Sequence, residues 1–514
     1  MLLSELCVVL FKRCLPSARG AHLCLLTVAV AGIDAVAVGE DAGWEQTAKF
    51  FVQKFNDRDP QFGEAVAISG DHVLIGAPVE FDSIAGPRAG AVYIFNRITG
   101  TEERRLTPSD HAIGDLFGHE LAVHGDRALI SSYHKTVDGL SGVGQAYLFD
   151  IVSRSEVLTL QMPDPSNSAF FGASVDLDSS RLVVGANRSD RFGSSAGAVY
   201  VHDAKTGALL RVLAPDDVQP GMYFGIDLAI DDDIAVITAP EDRSSLGWGS
   251  AYIFNLATGE QRAKIRPQID STRFFASPAI ENGVVFIGCS NTRDFSGEVV
   301  LFDAMTGDET GRILPPEFMP DQRFGFDVAV DGDRLVVSAL RTGARVYVYD
   351  VTTREEIGRL VSLDVQDGDF FGGAVGIEGS SVIVGASRVE IPDDVGGAGY
   401  MFEATPATVV RIEIAGTCPG PLEVTVSGAT PNGSVALLPG RLTGTFTNKS
   451  TPCEGTTLDL YPPLVGKGGL RTVVADAQGN ATFAGTLRAS RCGELFIQAL
   501  DLGSCEESNV IRIE

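Results

Sequence analysis

The chain has 514 residues, of which 44% are hydrophobic and 21% are charged. This balance is that of a folded soluble protein, and the length leaves room for more than one domain. The formal net charge of −27 repels nucleic acid and anionic membrane surfaces and argues against both as partners. Residues 408–514 contain 8 basic and 10 acidic side chains, so nearly all of the excess negative charge lies before them.

The first 37 residues are predicted to be a secretory signal that is removed on processing. Basic residues at positions 12, 13 and 19 precede an apolar segment at residues 21–31, and small residues suited to cleavage follow at positions 31 and 37. The apolar segment is short for a membrane span, and an uncleaved anchor is the alternative. The sequence therefore predicts a secreted or cell-surface protein without a membrane span in its mature chain.

One sequence unit recurs seven times between residues 62 and 386. Each copy starts with Phe-Gly or a variant, continues through an alternating strand and a polar turn, and reaches an apolar strand that ends in a Gly-Ala-Pro-like triplet. A variable loop, a Gly-Ala-Val-Tyr-like strand and Thr-Gly follow. The first residues of the copies are Phe62, Phe117, Phe171, Phe224, Phe275, Phe324 and Phe371. This spacing, which falls from 55 to 47 residues, is typical of radial or stacked arrays of short strands.

Each unit contains four predicted strands, which we label A to D in chain order. In the third copy they cover residues 173–178, 181–185, 197–203 and 208–213. Polar turns rich in Gly and Asp join A to B and require antiparallel hairpins. Seven such units predict an all-β fold with a seven-bladed β-propeller at residues 46–405. The seventh copy lacks a D strand, and we expect residues 49–54 to supply it and close the ring.

The Phe-Gly and Gly-Ala-Pro landmarks resemble FG-GAP repeats, the units of the integrin α-subunit propeller. Phe62-Gly63 with Gly76-Ala77-Pro78 shows the resemblance most plainly. It implies the propeller fold and a role in extracellular adhesion or recognition. Integrin-type repeats often carry a calcium loop between strands A and B, whereas this chain has short turns there, such as Asp331-Gly332-Asp333. Such turns resemble those of calcium-free FG-GAP proteins secreted by bacteria, and we expect neither a metal nor another cofactor.

Residues 408–514 differ from the repeats and are predicted to form a small all-β, immunoglobulin-like sandwich. Strands are predicted at residues 409–415, 422–427, 470–475, 481–487, 494–500 and 509–513. The region holds four cysteines, and an even set in a secreted module suggests two disulfides. Cys492 and Cys505 flank one strand, so we favour their pairing, with Cys418 joined to Cys453. Two other pairings and a zinc site are the alternatives.

The variable B–C loops share one face of the predicted propeller with the D–A crossovers, and they are the expected recognition surface. Aromatic and arginine side chains, which binding interfaces favour, occur in these loops, and His134, Lys135 and Arg188 are expected to be displayed there as well. The predicted binding residues are Tyr133, Arg191, Phe192, Arg243, Trp248 and Arg293. The sixth blade has the shortest loop, which should leave a notch in the rim. The partner is expected to be an extracellular protein or a glycan.

Catalytic motifs are few. Residues 193–197 match Gly-x-Ser-x-Gly, but a loop precedes this segment and a strand follows it, whereas a nucleophile elbow needs a strand and then a helix. We therefore predict that the protein is not an enzyme. An extracellular carbohydrate-active enzyme that uses the acidic channel is one alternative, and a structural adhesin-like spacer is another. A quinoprotein dehydrogenase propeller would carry a tryptophan in nearly every repeat, whereas this chain has 2 tryptophans.

Overall fold

The computed structural model describes residues 43–404, apart from 53–59, 83, 244–248, 267–275, 293, 342–343, 363 and 392–394. Outside this range it describes the backbone of two paired strands and of eight further strands after residue 410. The two paired strands, β1 (Val8–Leu15) and β2 (Leu23–Val30), are antiparallel and lie in the segment predicted to be a signal. That signal stays a prediction.

Seven four-stranded antiparallel sheets follow, one for each predicted unit. The strand that precedes the first unit is β3 (Trp44–Phe50). The first blade contains β4 (Val66–Ser69), β5 (His72–Ala77), β6 (Ala91–Asn96) and β7 (Glu102–Leu106). The second contains β8 (Leu121–His124), β9 (Arg127–Ser132), β10 (Gln145–Asp150) and β11 (Ser155–Leu160). The third contains β12 (Phe171–Leu177), β13 (Arg181–Ala186), β14 (Ala198–Asp203) and β15 (Leu209–Leu213).

The remaining blades repeat this order. The fourth contains β16 (Leu228–Asp231), β17 (Ile234–Ala239), β18 (Ser250–Asn255) and β19 (Gln261–Ile265). The fifth contains β20 (Ala276–Glu281), β21 (Val284–Cys289), β22 (Val299–Asp303) and β23 (Glu309–Ile313). The sixth contains β24 (Phe324–Asp331), β25 (Arg334–Ala339), β26 (Arg345–Asp350) and β27 (Glu356–Leu360). The seventh contains β28 (Phe371–Glu378), β29 (Ser381–Ile391) and β30 (Val395–Ala404), and β3 completes it.

Closure of the ring by the N-terminal strand is confirmed, but the predicted position was wrong. β3 runs antiparallel to β30, with Trp44 opposite Ala404 and Phe50 opposite Gly399, about five residues earlier than predicted. Trp44 and Phe50 are buried at the two ends of the strand, whereas Phe51 is 50% exposed. The prediction placed the adjacent phenylalanines together inside the strand, but only the first of them is needed in the core.

The phenylalanine of each Phe-Gly pair anchors its blade. Six of the seven lie in the described part of the chain, and all six are fully buried. In the third blade, Phe171 packs edge-on against Tyr200 of strand C, with ring centroids 5.5 Å apart. Equivalent Phe–Tyr pairs occur in the first, second, fourth, sixth and seventh blades. This edge-to-face geometry is the one that aromatic pairs prefer.

Two glycines of the repeat explain why its landmarks are so regular. Gly197 precedes strand C with φ +87°, and a Cβ there would overlap the carbonyl oxygen of Phe224 in the next blade. Gly185, the first residue of the Gly-Ala-Pro-like triplet, lies in the same way against the carbonyl of Gly225. The backbone of the third blade thus lies so close to the Phe-Gly pair of the fourth that only glycine fits at these two positions. The Gly185 position is less strict around the ring, since the second, fourth and sixth blades have Ser131, Thr238 and Ser338 there.

Residues after the propeller form a second compact unit, Thr405–Glu514. Its strands are β31 (Arg411–Gly416), β32 (Gly420–Ser427), β33 (Ser434–Thr447), β34 (Thr457–Pro463), β35 (Arg471–Val474), β36 (Ala481–Leu487), β37 (Leu495–Asp501) and β38 (Ile511–Ile513). They form one three-stranded and one five-stranded sheet. β33 and β34 were not predicted; in β33, Pro439, Gly440 and Gly444 interrupt the apolar pattern. The four cysteines predicted to form disulfides lie outside the described residues, so their pairing stays a prediction.

No helix in the described part of the chain has the length and apolar character needed to cross a membrane.

Candidate recognition face and central channel

The strand connections divide the propeller into two different faces. The A–B turns are only two or three residues long: β24 ends at Asp331, for example, and β25 begins at Arg334. The B–C connections are longer and differ from blade to blade, and in the first blade residues 78–90 join β5 to β6. We call the face that carries the B–C loops and the D–A crossovers the B–C face. In the seventh blade the sequence predicts a B–C loop at residues 388–396, but β29 and β30 extend into this range as a hairpin.

We expect the melting temperature in EDTA to be close to that in calcium. The short A–B turns lack the length to surround a calcium ion, and the described residues contain no group of three or more His, Cys, Asp or Glu arranged for a metal. A bound metal would stabilise the folded chain by mass action, so a fall of about 10 °C on chelation would contradict this prediction. Differential scanning calorimetry of the full chain is the measurement.

The structure describes four of the six predicted binding residues. Tyr133 is half-buried and packs against His119, with ring centroids 4.1 Å apart. Arg191 is exposed, forms an ion pair of 2.7 Å with Asp164 and lies over the ring of Phe192. Arg243 is exposed, 3.5 Å from Glu241. Trp248 and Arg293 lie outside the described residues.

A continuous row of rings and one guanidinium crosses the B–C face from the second to the fourth blade. Its members, which we call the guanidinium–aromatic row, are Tyr133, His134, Phe170, Arg188 and Tyr223. His134 stacks on Phe170 at 5.1 Å with an interplanar angle of 11°. The guanidinium of Arg188 lies 5.1 Å from the ring centre of Phe170 and 5.4 Å from that of Tyr223. Of this row, only Tyr133 was among the predicted binding residues, although His134 and Arg188 were expected on the same face.

The local backbone explains how this row forms. Phe170 and Tyr223 each directly precede the buried phenylalanine of a Phe-Gly pair and have positive φ, 57° and 55°. This left-handed conformation is rare for such residues and leaves their rings partly exposed beside a fully buried neighbour. The backbone N–H of Arg188 donates to the carbonyl of Ala169 at 3.2 Å, so the arginine is held next to the ring of Phe170.

The same unit occurs in the seventh blade. The guanidinium of Arg388 lies 3.7 Å from the ring centre of Phe370, and the N–H of Arg388 donates to the carbonyl of Asp369 at 3.1 Å. The sequence carries a signal for both units: Phe-Phe-Gly is followed, in the same register, by Gly-Ala-Asn-Arg in one blade and Gly-Ala-Ser-Arg in the other. Neither Arg188 nor Arg388 forms an ion pair with an acidic side chain of the described residues.

The side chain of Lys135 is not exposed on the B–C face, contrary to the prediction. The sequence places it in the B–C loop of the second blade, where it was expected to be displayed. Its side chain is instead only 5% exposed, and its ammonium lies 2.8 Å from Asp115. A buried ammonium requires such a partner. Lys135 therefore stabilises the loop from inside the protein and is not part of the exposed B–C face.

The A strands line a central channel that contains a cavity of about 650 Å³. Glu120, Asp227 and Asp327 occupy the same position, two residues after Phe-Gly, in the second, fourth and sixth blades. Burial, as the main cause, and repulsion from neighbouring carboxylates, as the second, hold the pKa of Glu120 and of Asp227 well above the ordinary range. Burial raises the pKa of Asp327 to about 6.

Two channel carboxylates also join neighbouring blades. Asp176 of the third blade accepts the N–H of Ile230 in the fourth at 2.8 Å. Asp327 of the sixth blade accepts the N–H of Val375 in the seventh at 2.8 Å and the hydroxyl of Ser277 in the fifth at 2.7 Å. Burial raises the pKa of Asp176 to about 7. These contacts give the carboxylates a structural role.

The FG-GAP repeat family model matches five segments of the chain: residues 44–95, 101–149, 155–202, 210–254 and 355–402. Each match begins with a D strand of the preceding blade and ends with a C strand, so the first match includes β3. The unmatched stretch between them covers most of the fifth and sixth blades, where Phe275-Ala276 replaces Phe-Gly and the sixth B–C connection is only 340–344. None of the curated proteins compared with the chain matches it. The recurring motif, the five matched repeats and the closed ring of seven blades together show that residues 44–404 form an FG-GAP repeat β-propeller.

Proposed function

We propose that this protein is secreted or displayed at the cell surface and binds an extracellular protein or glycan through the B–C face. The observation that carries the proposal is the guanidinium–aromatic row. Aromatic and arginine side chains dominate the energy of binding interfaces. A guanidinium already packed between Phe170 and Tyr223 loses little freedom when it binds, so its hydrogen bonds to a partner cost less entropy.

The wider organisation fits this role. FG-GAP repeats without calcium loops resemble those of secreted bacterial proteins, and a processed signal at residues 1–37 would deliver the chain to that compartment. An immunoglobulin-like sandwich with two disulfides at residues 408–514 would suit an oxidising environment. In this proposal the propeller recognises the partner without chemical conversion.

The test is binding of the full chain to arrays of glycans and of extracellular proteins. Arg188→Met removes the guanidinium but keeps a long apolar stem, and it is expected to weaken binding about tenfold, since hydrogen bonds to charged groups contribute about 1.5–3 kcal/mol. Lys205→Met is the matched control: it removes one exposed positive charge from the C–D turn of the third blade, on the opposite face. Equal affinity of both variants would place the binding elsewhere.

The acidic channel is the one observation that favours catalysis instead. A screen of the full chain against glycan and hydrolase substrates addresses it. Turnover that is lost in Asp227→Asn but kept in Asp126→Asn, an exposed residue of an A–B turn, would contradict a purely binding role.

A further inference from the structure

A notch opens in the B–C face between the sixth and seventh blades, where the shortest B–C loop was predicted to leave one. It holds a cavity of about 420 Å³. The residues around it are Leu340, Arg341, Asp367, Gly368, Phe370 and Arg388. The connection from β25 to β26 takes only residues 340–344, compared with 78–90 in the first blade.

Two guanidiniums reach this cavity from different blades. Arg388 is exposed, lies over Phe370 and pairs with no described acidic side chain. The backbone N–H of Arg341 donates to the backbone carbonyl of Gln322 at 3.3 Å. The side chain of Arg341 is half exposed, and its guanidinium lies 3.3 Å from the carboxylate of Asp321. The notch therefore combines the guanidinium of Arg388, which is packed on the ring of Phe370, with the guanidinium of Arg341, which remains partly exposed to water.

We infer that this notch binds the carboxylate of an aspartate or glutamate side chain on a partner protein, an inference that rests on the proposed function. A guanidinium presents a fork of N–H donors that matches a carboxylate. Asp367 also lines the cavity, so the local charge suits one carboxylate better than several. The net charge of −27 repels a polyanion at long range, which disfavours acidic polysaccharides and leaves a single acidic side chain within a partner surface.

The experiment probes the full chain with arrays of twelve-residue peptides. Each peptide is uncharged except for one glutamate and is paired with the same peptide carrying glutamine. We expect glutamate to be preferred about tenfold among the bound peptides, and the preference to shrink as salt rises from low to high ionic strength. Arg388→Met should abolish the preference, Arg388→Lys should restore part of it, and Lys205→Met should leave it unchanged.

Each contrary outcome has a separate meaning. Peptides that bind without a glutamate preference, or with one that survives both Arg388→Met and Arg341→Met, would overturn the notch as a carboxylate site and leave the proposed function intact. Binding of sulfated or uronic glycans that Arg388→Met removes, without peptide binding, would overturn the choice of a protein partner. If neither peptides, glycans nor extracellular proteins bind, the inference falls together with the proposed function. Unchanged melting temperatures of the variants establish that each is folded.

Discussion

Replacing Trp44 with alanine is expected to lower the free energy of unfolding by about 3–5 kcal/mol, the usual cost of truncating a large buried aromatic side chain. Trp44 begins β3 and packs in one cluster with Leu360 and Phe402 of the sixth and seventh blades. Gly358 lies beneath its indole so closely that a Cβ there would overlap the ring. The substitution therefore leaves a cavity at the point where the first and last strands of the propeller meet.

Urea unfolding followed by circular dichroism measures this effect. Phe51→Ala is the matched control, since Phe51 directly follows β3 but is half exposed, and its loss should change the free energy of unfolding by no more than about 0.5 kcal/mol. Equal effects of the two substitutions would mean that β3 does not contribute to closing the ring.

The second large effect concerns pH and Asp176. Its pKa is raised from 3.8 to about 7 by burial, so the folded state binds a proton that the unfolded chain releases near pH 4. The stability associated with this group is fully present below pH 4 and is lost as the pH rises through about 7. The unfolding free energy of the parent chain, relative to that of Asp176→Asn, should therefore fall by about 2 kcal/mol between pH 5.5 and 7.5.

Comparison with the variant reports on Asp176 together with Asp227, whose pKa the charge of Asp176 also raises, and removes the contribution of more distant groups. His119, whose pKa is lowered to about 4 by burial, acts in the opposite direction below pH 6.5, and Asp327 acts in the same direction as Asp176. Both are present in parent and variant and cancel in the difference. Asp126→Asn, at an exposed turn, should follow the parent at every pH. A constant difference between the parent and Asp176→Asn would show that Asp176 is ionised in the folded state throughout this range.

The sequence predicted the blades because their contacts are periodic. The equivalents of Phe171 and Gly197 recur in register, so their burial and close approach can be inferred without coordinates. The notch was predicted for the same reason, since a shortened loop is visible by comparison with its counterparts. Strand β3 was misplaced because it lies outside the repeats and its register depends on which aromatic residue, Trp44 or Phe51, the core accepts.

The recognition face was predicted less well, because its contacts join different units. The stacking of Arg188 on Phe170 requires two segments 18 residues apart to meet at a crossover, and it continues to Tyr223 only through the next blade. Lys135 was misassigned because a loop position says nothing about a buried carboxylate such as Asp115 beneath it. The channel acids were too many to rank by sequence, and their common position became meaningful once the A strands were known to face one another.

The one-strand offset between the repeating sequence and the blade has an evolutionary consequence. When the repeat is delimited as in the five family matches, its first strand is the D strand of the preceding blade and its other three are strands A to C of the next blade, and β3 supplies this first strand for the first repeat. A tandem duplication or loss of one whole unit would therefore yield a chain that still interlocks from end to end. The number of blades can change in single genetic steps, while a break inside a unit would leave two neighbouring blades incomplete.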